Sequence, residues 1–144
     1  MATIEVKGLY KSFGKKTVLN NVNFTASSGM IGLLGNNGAG KTTLMNMISA
    51  LTKPTKGQVL INGIVTVRSP LQVKKMIGYL PQDFNVYDDL TAIEMLDYIA
   101  ALNHIGSKTL RGKKVEQVLE MVNLTGAAKD KVGTYSGGMK RRLG

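Results

Sequence analysis

The feature that most constrains this chain is one glycine-rich stretch, Gly35-Asn36-Asn37-Gly38-Ala39-Gly40-Lys41-Thr42-Thr43. It satisfies every fixed position of the phosphate-binding pattern G-x-x-x-x-G-K-[ST]. The glycines allow backbone conformations that bring several N–H groups close to one anion. In this pattern Lys41 reaches the β- and γ-phosphates of a nucleotide, and the Thr42 hydroxyl is a ligand of Mg²⁺. The stretch, which we call the phosphate loop, therefore predicts a site for a nucleoside triphosphate.

The residues on either side of the phosphate loop predict the setting in which such a loop works. Residues 30–34 are a short apolar run, which is typical of a buried parallel strand. Residues 42–51 predict a helix, because Leu44, Met47, Ile48 and Leu51 are spaced to line one face. The unpaired N–H groups and positive dipole end of that helix would point at the same anion. Strand, loop and helix together indicate an α/β fold with a P-loop NTPase core.

The composition limits the chemistry that the chain can carry out. Its 144 residues are one domain or part of one, and a hydrophobic content of 43% is enough for a core. The absence of cysteine excludes disulfides, cysteine-based zinc sites and thiol catalysis. The first residues lack the apolar region of a secretory signal, and no run approaches the ~18 apolar residues needed to cross a bilayer.

The charge of the chain raises the question of nucleic-acid binding. Lys+Arg 19 against Asp+Glu 9 gives a formal net charge of +10. The basic residues are scattered, however, and aromatic residues do not alternate with them as a stacking platform for bases requires. Solvated surfaces and an anionic nucleotide account for most of the charge, so we expect nucleic acid not to be a partner.

The N-terminal segment predicts an antiparallel β subdomain. Residues 3–10 and 17–25 alternate loosely and predict two strands joined by the turn Phe13–Lys16. The role of Phe13 has two interpretations, since an aromatic residue at a hairpin turn either fills the core or stacks on an adenine ring.

The middle of the chain predicts three further elements. Gln58–Gly63 predicts a strand that ends at an Asn-Gly corner. Ser69-Pro70 predicts the start of a helix that runs to about Lys75. Residues 76–80 predict a second apolar strand, which Pro81 ends and Gln82 follows.

The character of the chain changes at residue 88, where a helical subdomain begins. Thr91 and Glu94 form a capping box that opens a helix with Ile93, Leu96 and Ala100 on one side. A second helix carries the stripe Val115, Val118, Leu119 and Val122. We expect residues 88–130 to be inserted into the α/β core, with His104 a surface residue and not a catalyst.

The chain closes on Ser136-Gly137-Gly138, followed by a basic run. The serine is suited to cap a helix, and two glycines allow close backbone approach to a ligand. We therefore predict a second anion-binding segment at the start of a helix.

The order of these motifs resembles the N-terminal portion of the nucleotide-binding domain of ATP-binding cassette (ABC) transporters. Phe13 in Lys11-Ser12-Phe13-Gly14 is similar to the A-loop, residues 35–43 to Walker A, Gln82 to the Q-loop, and Tyr135-Ser136-Gly137-Gly138-Met139 to the signature motif. The likeness extends from Ile4 to Gly144. Asn36 departs from the usual Pro, and Tyr135 and Met139 from the usual Leu and Gln. This signature variant favours an exporter.

The resemblance implies roles for these residues and names ATP and Mg²⁺ as the ligands. Phe13 would stack on adenine, the phosphate loop would hold the triphosphate, and Thr42 and Gln82 would meet the metal. Lys41 and Gln82 would serve catalysis. Ser136, Gly137 and Gly138 would face the γ-phosphate of a second nucleotide-binding domain in a head-to-tail dimer. An integral membrane permease would be the other partner, which places the protein peripherally on the cytoplasmic side of the cell membrane.

The same resemblance implies a domain organisation. Residues 1–87 would form the ATP-binding core with the antiparallel β subdomain, 88–130 the helical subdomain, and 131–144 the signature motif and the start of its helix. The printed sequence ends before the positions of the Walker B strand, the D-loop and the switch histidine of the family. The fold is therefore expected to be incomplete at its C-terminus, and residues 1–144 alone to bind ATP without hydrolysing it.

Other functions remain as alternatives. The net charge suggests, as one alternative, a soluble ABC-type ATPase that acts on ribosomes or nucleic acid. The early end of the sequence suggests another, a hydrolytically dead ATP-binding fragment. A P-loop kinase is a further alternative that the motifs disfavour, because Gln82 and the Ser-Gly-Gly segment would have no role in it.

Overall fold

The computed structural model describes residues 3–82 and 87–144. Residues 1–2 and 83–86, which belong to the predicted core 1–87, lie outside the described residues. The chain divides into two compact units, Met1–Tyr79 and Leu80–Gly144. We call them unit 1 and unit 2.

Unit 1 begins with the predicted β-hairpin. Strands β1 (Ile4–Phe13) and β2 (Lys16–Ala26) pair antiparallel. Gly14 and Lys15 connect them, and Gly14 supplies the positive φ of 56° that a two-residue hairpin turn needs. The predicted pair of strands is confirmed, and each strand is longer than the sequence alone suggested.

The sheet of unit 1 continues with β3 (Lys56–Ile61) and β4 (Ile64–Val65), giving the order β2-β1-β3-β4 with antiparallel pairing throughout. Asn62 and Gly63 both have positive φ, 50° and 78°, as a tight hairpin turn requires. The predicted Asn-Gly corner is confirmed. The Asn62 side chain also accepts a hydrogen bond from the Thr3 N–H at 2.8 Å.

Helix α1 (Lys41–Ile48) belongs to the same core as this sheet. The shared buried residues are Val6, Leu9, Leu19, Leu44, Met47 and Val59. The predicted helix and its apolar face are confirmed, except that Leu51 lies beyond the helix and is exposed. The helix stops early because Ala50 takes a φ of 55° and the Leu51 N–H turns back to the Asn46 carbonyl at 2.8 Å.

Two predicted strands are wrong. Residues 30–34 and 76–80 lie outside the strands of the described residues, and Met30 and Leu34 are fully exposed. A parallel strand needs neighbours that pair its backbone and cover both of its faces. The four described strands pair antiparallel with one another, and neither segment pairs with any of them. Residues 76–80 are instead held by Tyr79, whose hydroxyl donates to Asn46 Oδ1 at 3.0 Å.

Helix α2 (Pro70–Lys74) begins where the sequence predicted, with Pro70 in the first turn and Ser69 at the N-cap position. Ser69 does not cap the helix with its side chain in the described structure. Val73 is fully buried and fixes the helix in place.

Unit 2 is helical. It contains α3 (Ala92–Leu102), α4 (Lys108–Met121), two 3-10 turns (Thr125–Ala127 and Val132–Thr134) and α5 (Gly137–Leu143). The predicted capping box is confirmed: Thr91 Oγ1 accepts from the Glu94 N–H at 3.2 Å, and Glu94 Oε2 accepts from the Thr91 N–H at 2.8 Å.

The core of unit 2 corrects the predicted helix faces. On α3 the buried residues are Ala92 and Met95, and the predicted Leu96 packs against their core, whereas Ile93 is 38% exposed. On α4 Val115 and Leu119 are buried as predicted, but Val118 is 39% exposed. Helix α3 carries apolar residues of its own on nearly every side, so the spacing of apolar residues alone cannot predict which side is buried. The rest of this core comprises Leu124, Ala128, Val132, Tyr135 and Leu143.

A charged pair joins α3 to α4. Arg111 Nε donates to Asp97 Oδ1 at 2.7 Å, and Arg111 Nη1 donates to the carbonyls of Ile105 and Gly106 in the connection between the helices. The hydrogen bond from Arg111 holds the pKa of the Asp97 carboxyl below its usual range.

In the described part of the chain, the helices are too short or too polar to cross a membrane.

Gly57 provides a test of how tightly β1 and β3 approach. An added Cβ at Gly57 would overlap the Gly8 carbonyl, whereas at Gly63, with the same φ of 78°, it would meet no described atom within 4 Å. We expect Gly63→Ala to cost only the ~1 kcal/mol of a strained φ, and Gly57→Ala to cost clearly more. Unfolding free energies from denaturant titration measure both. Equal losses would contradict the close approach.

The capping box gives a pH-dependent prediction. Hydrogen bonds from Thr91, the backbone one foremost, hold the pKa of the Glu94 carboxyl below its usual range. A depressed folded pKa adds stability above the unfolded pKa, and that stability is lost as pH falls through the folded pKa. Glu94→Gln should therefore destabilise unit 2 at pH ~7, and the difference from the unaltered protein should shrink below pH ~4.

Denaturant titrations at both pH values measure this difference. Glu116→Gln, the same substitution at an exposed position of α4, controls for the loss of one negative charge. A Glu94→Gln effect that is the same at both pH values would contradict the assignment.

Candidate functional site

The phosphate loop is shaped by glycines in left-handed conformations. Gly38 has a φ of 83° and Gly40 a φ of 90°. Between them the Ala39 N–H donates to the Asn36 carbonyl at 3.1 Å and closes a turn. L-residues with a side chain rarely adopt such φ values. The loop backbone therefore has a curvature that only this placement of glycines permits.

Gly40 also fixes where the loop lies on unit 1. A Cβ at this position would come within 2.7 Å of Leu19 Cδ2 and 3.1 Å of the Val18 carbonyl oxygen. The part of the loop just before α1 therefore packs directly against β2. This contact places the first turn of α1 beside the hairpin.

The N-terminus of α1 opens onto the loop. The helix begins at Lys41, and the Leu44 N–H donates to the Gly40 carbonyl at 2.9 Å. The N–H groups of residues 41–43 therefore have no partner within the helix, and they carry the positive end of its dipole. Thr42 is exposed beside them and Thr43 is half-buried. Such a terminus is suited to binding an anion.

Lys41 folds back across the loop. Its Nζ donates to the carbonyls of Gly35 at 2.6 Å and Asn36 at 2.8 Å. A Cβ on Gly35 would lie 3.3 Å from the Ala39 Cβ and 4.0 Å from the Lys41 Cδ, so the loop curls around the lysine stem. The ammonium group is therefore held at the phosphate loop, at the place where a bound phosphate would need a cation.

Phe13 lies at the end of β1 and is 54% exposed, so the interpretation that it fills the core is wrong. The Lys11 ammonium sits over one face of its ring, 4.8 Å from the centroid. In the register of the hairpin Lys11 is opposite Leu19 and Phe13 is opposite Lys16. Phe13 is therefore two or three strand positions, ~7–10 Å, from the part of β2 that Gly40 contacts.

The second predicted anion-binding segment lies in unit 2. Ser136 is the N-cap of α5, and its Oγ accepts from the Met139 N–H at 3.2 Å, which confirms the predicted cap. Gly137 and Gly138 are exposed. Behind them Tyr135 is buried and donates its hydroxyl to the Ala127 carbonyl at 2.7 Å. This burial raises the pKa of the Tyr135 hydroxyl and anchors the segment from inside.

Asp88 ties the segment that precedes α5 to the entrance of the helical region. The Gly133 N–H donates to the Asp88 carbonyl at 2.9 Å, and Lys140 Nζ lies 2.8 Å from Asp88 Oδ1. A Cβ on Gly133 would come within 2.9 Å of the same carbonyl. The sequence contained no motif that singled out these residues.

The predicted site residues thus fall into two groups. Phe13 and the phosphate loop lie in unit 1, and the hairpin register brings them together. Gln82 and the Ser136-Gly137-Gly138 segment lie in unit 2. Gln82 is exposed and directly precedes residues 83–86, outside the described range. Sequence reasoning missed Lys11, because the predicted strand ended at residue 10 and gave no reason to place this side chain beside Phe13.

A cleft of about 560 Å³ lies elsewhere in unit 2, between α3, α4 and the first 3-10 turn. Its lining includes Ile93, Asp97, Val115 and Lys129, but none of the predicted site residues. Asp97 on its wall is already paired with Arg111. The cleft is therefore not the predicted nucleotide site.

The described residues of the phosphate loop fit a Mg²⁺-bound triphosphate. The loop shaped by left-handed glycines and the first turn of α1 offer backbone N–H donors to phosphate oxygens. The Lys41 ammonium adds a positive charge beside them. The Thr42 hydroxyl is exposed at the same terminus and can serve as one ligand of Mg²⁺, which takes most of its other ligands from phosphates and water.

Comparisons with known proteins agree with this geometry. Residues 19–144 match the family model described as ABC transporter. The chain is 40% identical to the linearmycin resistance ATP-binding protein LnrL of Bacillus subtilis over 144 residues, covering 97% of this chain and 45% of the relative. It is 39% identical to the doxorubicin resistance ATP-binding protein DrrA of Mycobacterium tuberculosis, covering 97% of this chain and 43% of the relative.

A third relative, the Nod factor export ATP-binding protein I of a Rhizobium species, is 41% identical, with 97% of this chain and 46% of the relative covered. The chain therefore spans somewhat less than half the length of these relatives. A solved structure titled "Structure of ATP binding subunit of ABC transporter" superposes with a TM-score of 0.79 at 29% identity, covering 97% of this chain and 58% of that one. The predicted α/β fold class is thereby confirmed, and the chain belongs to the ABC transporter family.

Proposed function

We propose that the chain is the ATP-binding part of an ABC transporter subunit whose full-length form binds Mg-ATP and hydrolyses it to drive export across a membrane. The observation that carries the proposal is the phosphate loop. It is a left-handed glycine turn pressed onto β2, with the Lys41 ammonium held at its carbonyls and the N-terminus of α1 opening beside it. The ATP-binding names of the relatives support the same function.

The binding step rests on the residues of unit 1. The backbone N–H groups of the loop, from Gly35 to Gly40, and of Thr42 and Thr43 would surround the phosphate oxygens. Lys41 would exchange the carbonyls of Gly35 and Asn36 for the β- and γ-phosphates, with its charge-assisted bonds becoming stronger. Phe13, exposed at the hairpin end, would stack on the adenine ring.

The Thr42 hydroxyl would be a ligand of Mg²⁺, which when bound would supply positive charge against the charge that develops on the phosphates. Gln82 keeps the role that the family resemblance implies, which is to sense the γ-phosphate and the metal. Lys41 would stabilise the transferring phosphoryl group electrostatically, which is the usual contribution of such a lysine.

A second copy of the domain would complete each site. Ser136, Gly137 and Gly138 of one copy would face the γ-phosphate held by the other copy in a head-to-tail dimer. The exposure of both glycines and the N-cap geometry of Ser136 support this role. In this arrangement ATP closes the dimer because it binds the closed form more tightly than the open one.

The remaining partner would be an integral membrane permease. In our proposal residues 1–87 form the ATP-binding core, 88–130 the helical subdomain that transmits closure to the permease, and 131–144 the signature motif. The protein would then lie peripherally on the cytoplasmic side of the cell membrane. The names of the relatives support the export direction, because two of them are called drug resistance proteins and one a Nod factor export protein.

Replacing Lys41 tests the phosphate site. In the full-length protein we expect Lys41→Ala to raise the dissociation constant for Mg-ATP ~10-fold or more, because charged hydrogen bonds to the phosphates are lost. Isothermal titration calorimetry measures the constant. Lys113→Ala, which removes the same charge from an exposed position on α4, is the control and should leave it unchanged. Unaltered affinity in Lys41→Ala would show that the site lies elsewhere.

A further inference from the structure

We propose that Lys11 is a positioning residue for the adenine base. Its ammonium group covers one face of the Phe13 ring, fixes the orientation of that ring, and leaves the opposite face for the base. The inference rests on the proposed function, since it requires Mg-ATP at the phosphate loop.

The contact between the two side chains is close enough to act on the ring. The Lys11 Nζ lies 4.8 Å from the ring centroid, within the ~6 Å over which a cation is attracted to the negative face of an aromatic ring. Phe13 remains 54% exposed with the ammonium in place, so a large part of the ring is open to a ligand.

Lys11 is itself held from a second direction. Its Nζ donates to the Lys53 carbonyl at 2.8 Å, in the turn that leads into β3. The same end of β1 is bound to that turn by two further bonds: the Ser12 N–H donates to Thr55 Oγ1 at 3.0 Å, and the Thr55 N–H donates to the Tyr10 carbonyl at 2.8 Å. The ammonium group is therefore a fixed point and not a freely moving surface charge.

The hairpin places this pair at the right distance from the phosphates. Gly40 is pressed on Val18 and Leu19, and Leu19 is opposite Lys11 in the register. Phe13 lies two or three strand positions further along, ~7–10 Å, a separation that a ribose and an α-phosphate can bridge. One nucleotide can thus reach both the loop and the ring.

The chemistry favours a purine base on the open face. A cation on one face draws electron density away from the ring, so an electron-rich purine stacks more favourably on the other face. A ring that is already oriented loses less conformational freedom when the base binds. Lys11 therefore acts on the base through Phe13, whereas Lys41 acts on the phosphates.

Binding of two probes by the full-length protein tests the inference. We expect Lys11→Met to raise the dissociation constant for Mg-ATP about two- to fivefold, the range given by an ordinary cation–π contact, and to leave that for Mg-tripolyphosphate unchanged. Lys11→Gln, which keeps a donor for the Lys53 carbonyl but removes the charge, should behave as Lys11→Met does. Lys11→Arg, which keeps a positive charge at this position, should retain the affinity of the unaltered protein for Mg-ATP.

Two controls make the assignment specific. Lys15→Met removes a charge from the turn next to Phe13 and should change neither constant. In a Phe13→Ala background, Lys11→Met should have no further effect on Mg-ATP, because Lys11 acts only through the ring.

Several results would overturn the inference. These are an unchanged affinity for Mg-ATP in Lys11→Met, an equal loss for tripolyphosphate, and an undiminished Lys11→Met effect without Phe13. Each would leave the proposed function standing. If the unaltered protein bound neither probe, the proposed function would fall and this inference with it.

Discussion

The close approach of Gly40 to β2 is the contact on which the rest of the site depends. Gly40 has a φ of 90° and room for no more than a hydrogen atom facing Leu19, and it is the last residue of the phosphate loop before α1 begins at Lys41. The loop, the first turn of the helix and the hairpin are therefore held in one arrangement. The hairpin end that carries Phe13 is thereby kept at a nucleotide's length from the helix N-terminus.

Unit 2 is organised by a different constraint, which is the attachment of its last helix. Gly133 lies against the Asp88 carbonyl, Lys140 pairs with the Asp88 carboxylate, and Tyr135 is buried with its hydroxyl on the Ala127 carbonyl. These contacts leave the backbone of Gly137 and Gly138 exposed at the start of α5. In the proposed function, a rigidly anchored but open backbone is what a segment needs to bind the phosphate of a second copy.

The sequence predicted the local structure where local chemistry decides it. The glycine loop, the Asn62-Gly63 turn and the Thr91–Glu94 capping box each depend on residues within a few positions of one another, and each is found. Residues 30–34 were predicted wrongly because an apolar run becomes a strand only if another segment pairs with it. The buried side of α3 likewise depends on distant partners, namely Val132 and its neighbours in the core. The position of Lys11 beside Phe13 depends on the Lys53 carbonyl, which binds its ammonium group.

The central claim is that one nucleotide lies across unit 1, with its phosphates at the loop and its base at Phe13. Photolabelling of the full-length protein with 8-azido-ATP and Mg²⁺ tests this directly, because the reactive group is on the base. After digestion with trypsin, the account predicts the label on the short peptide from Ser12 to Lys15, and its loss in Lys41→Ala. Label on a peptide of unit 2, or label that survives the loss of Lys41, would contradict the account.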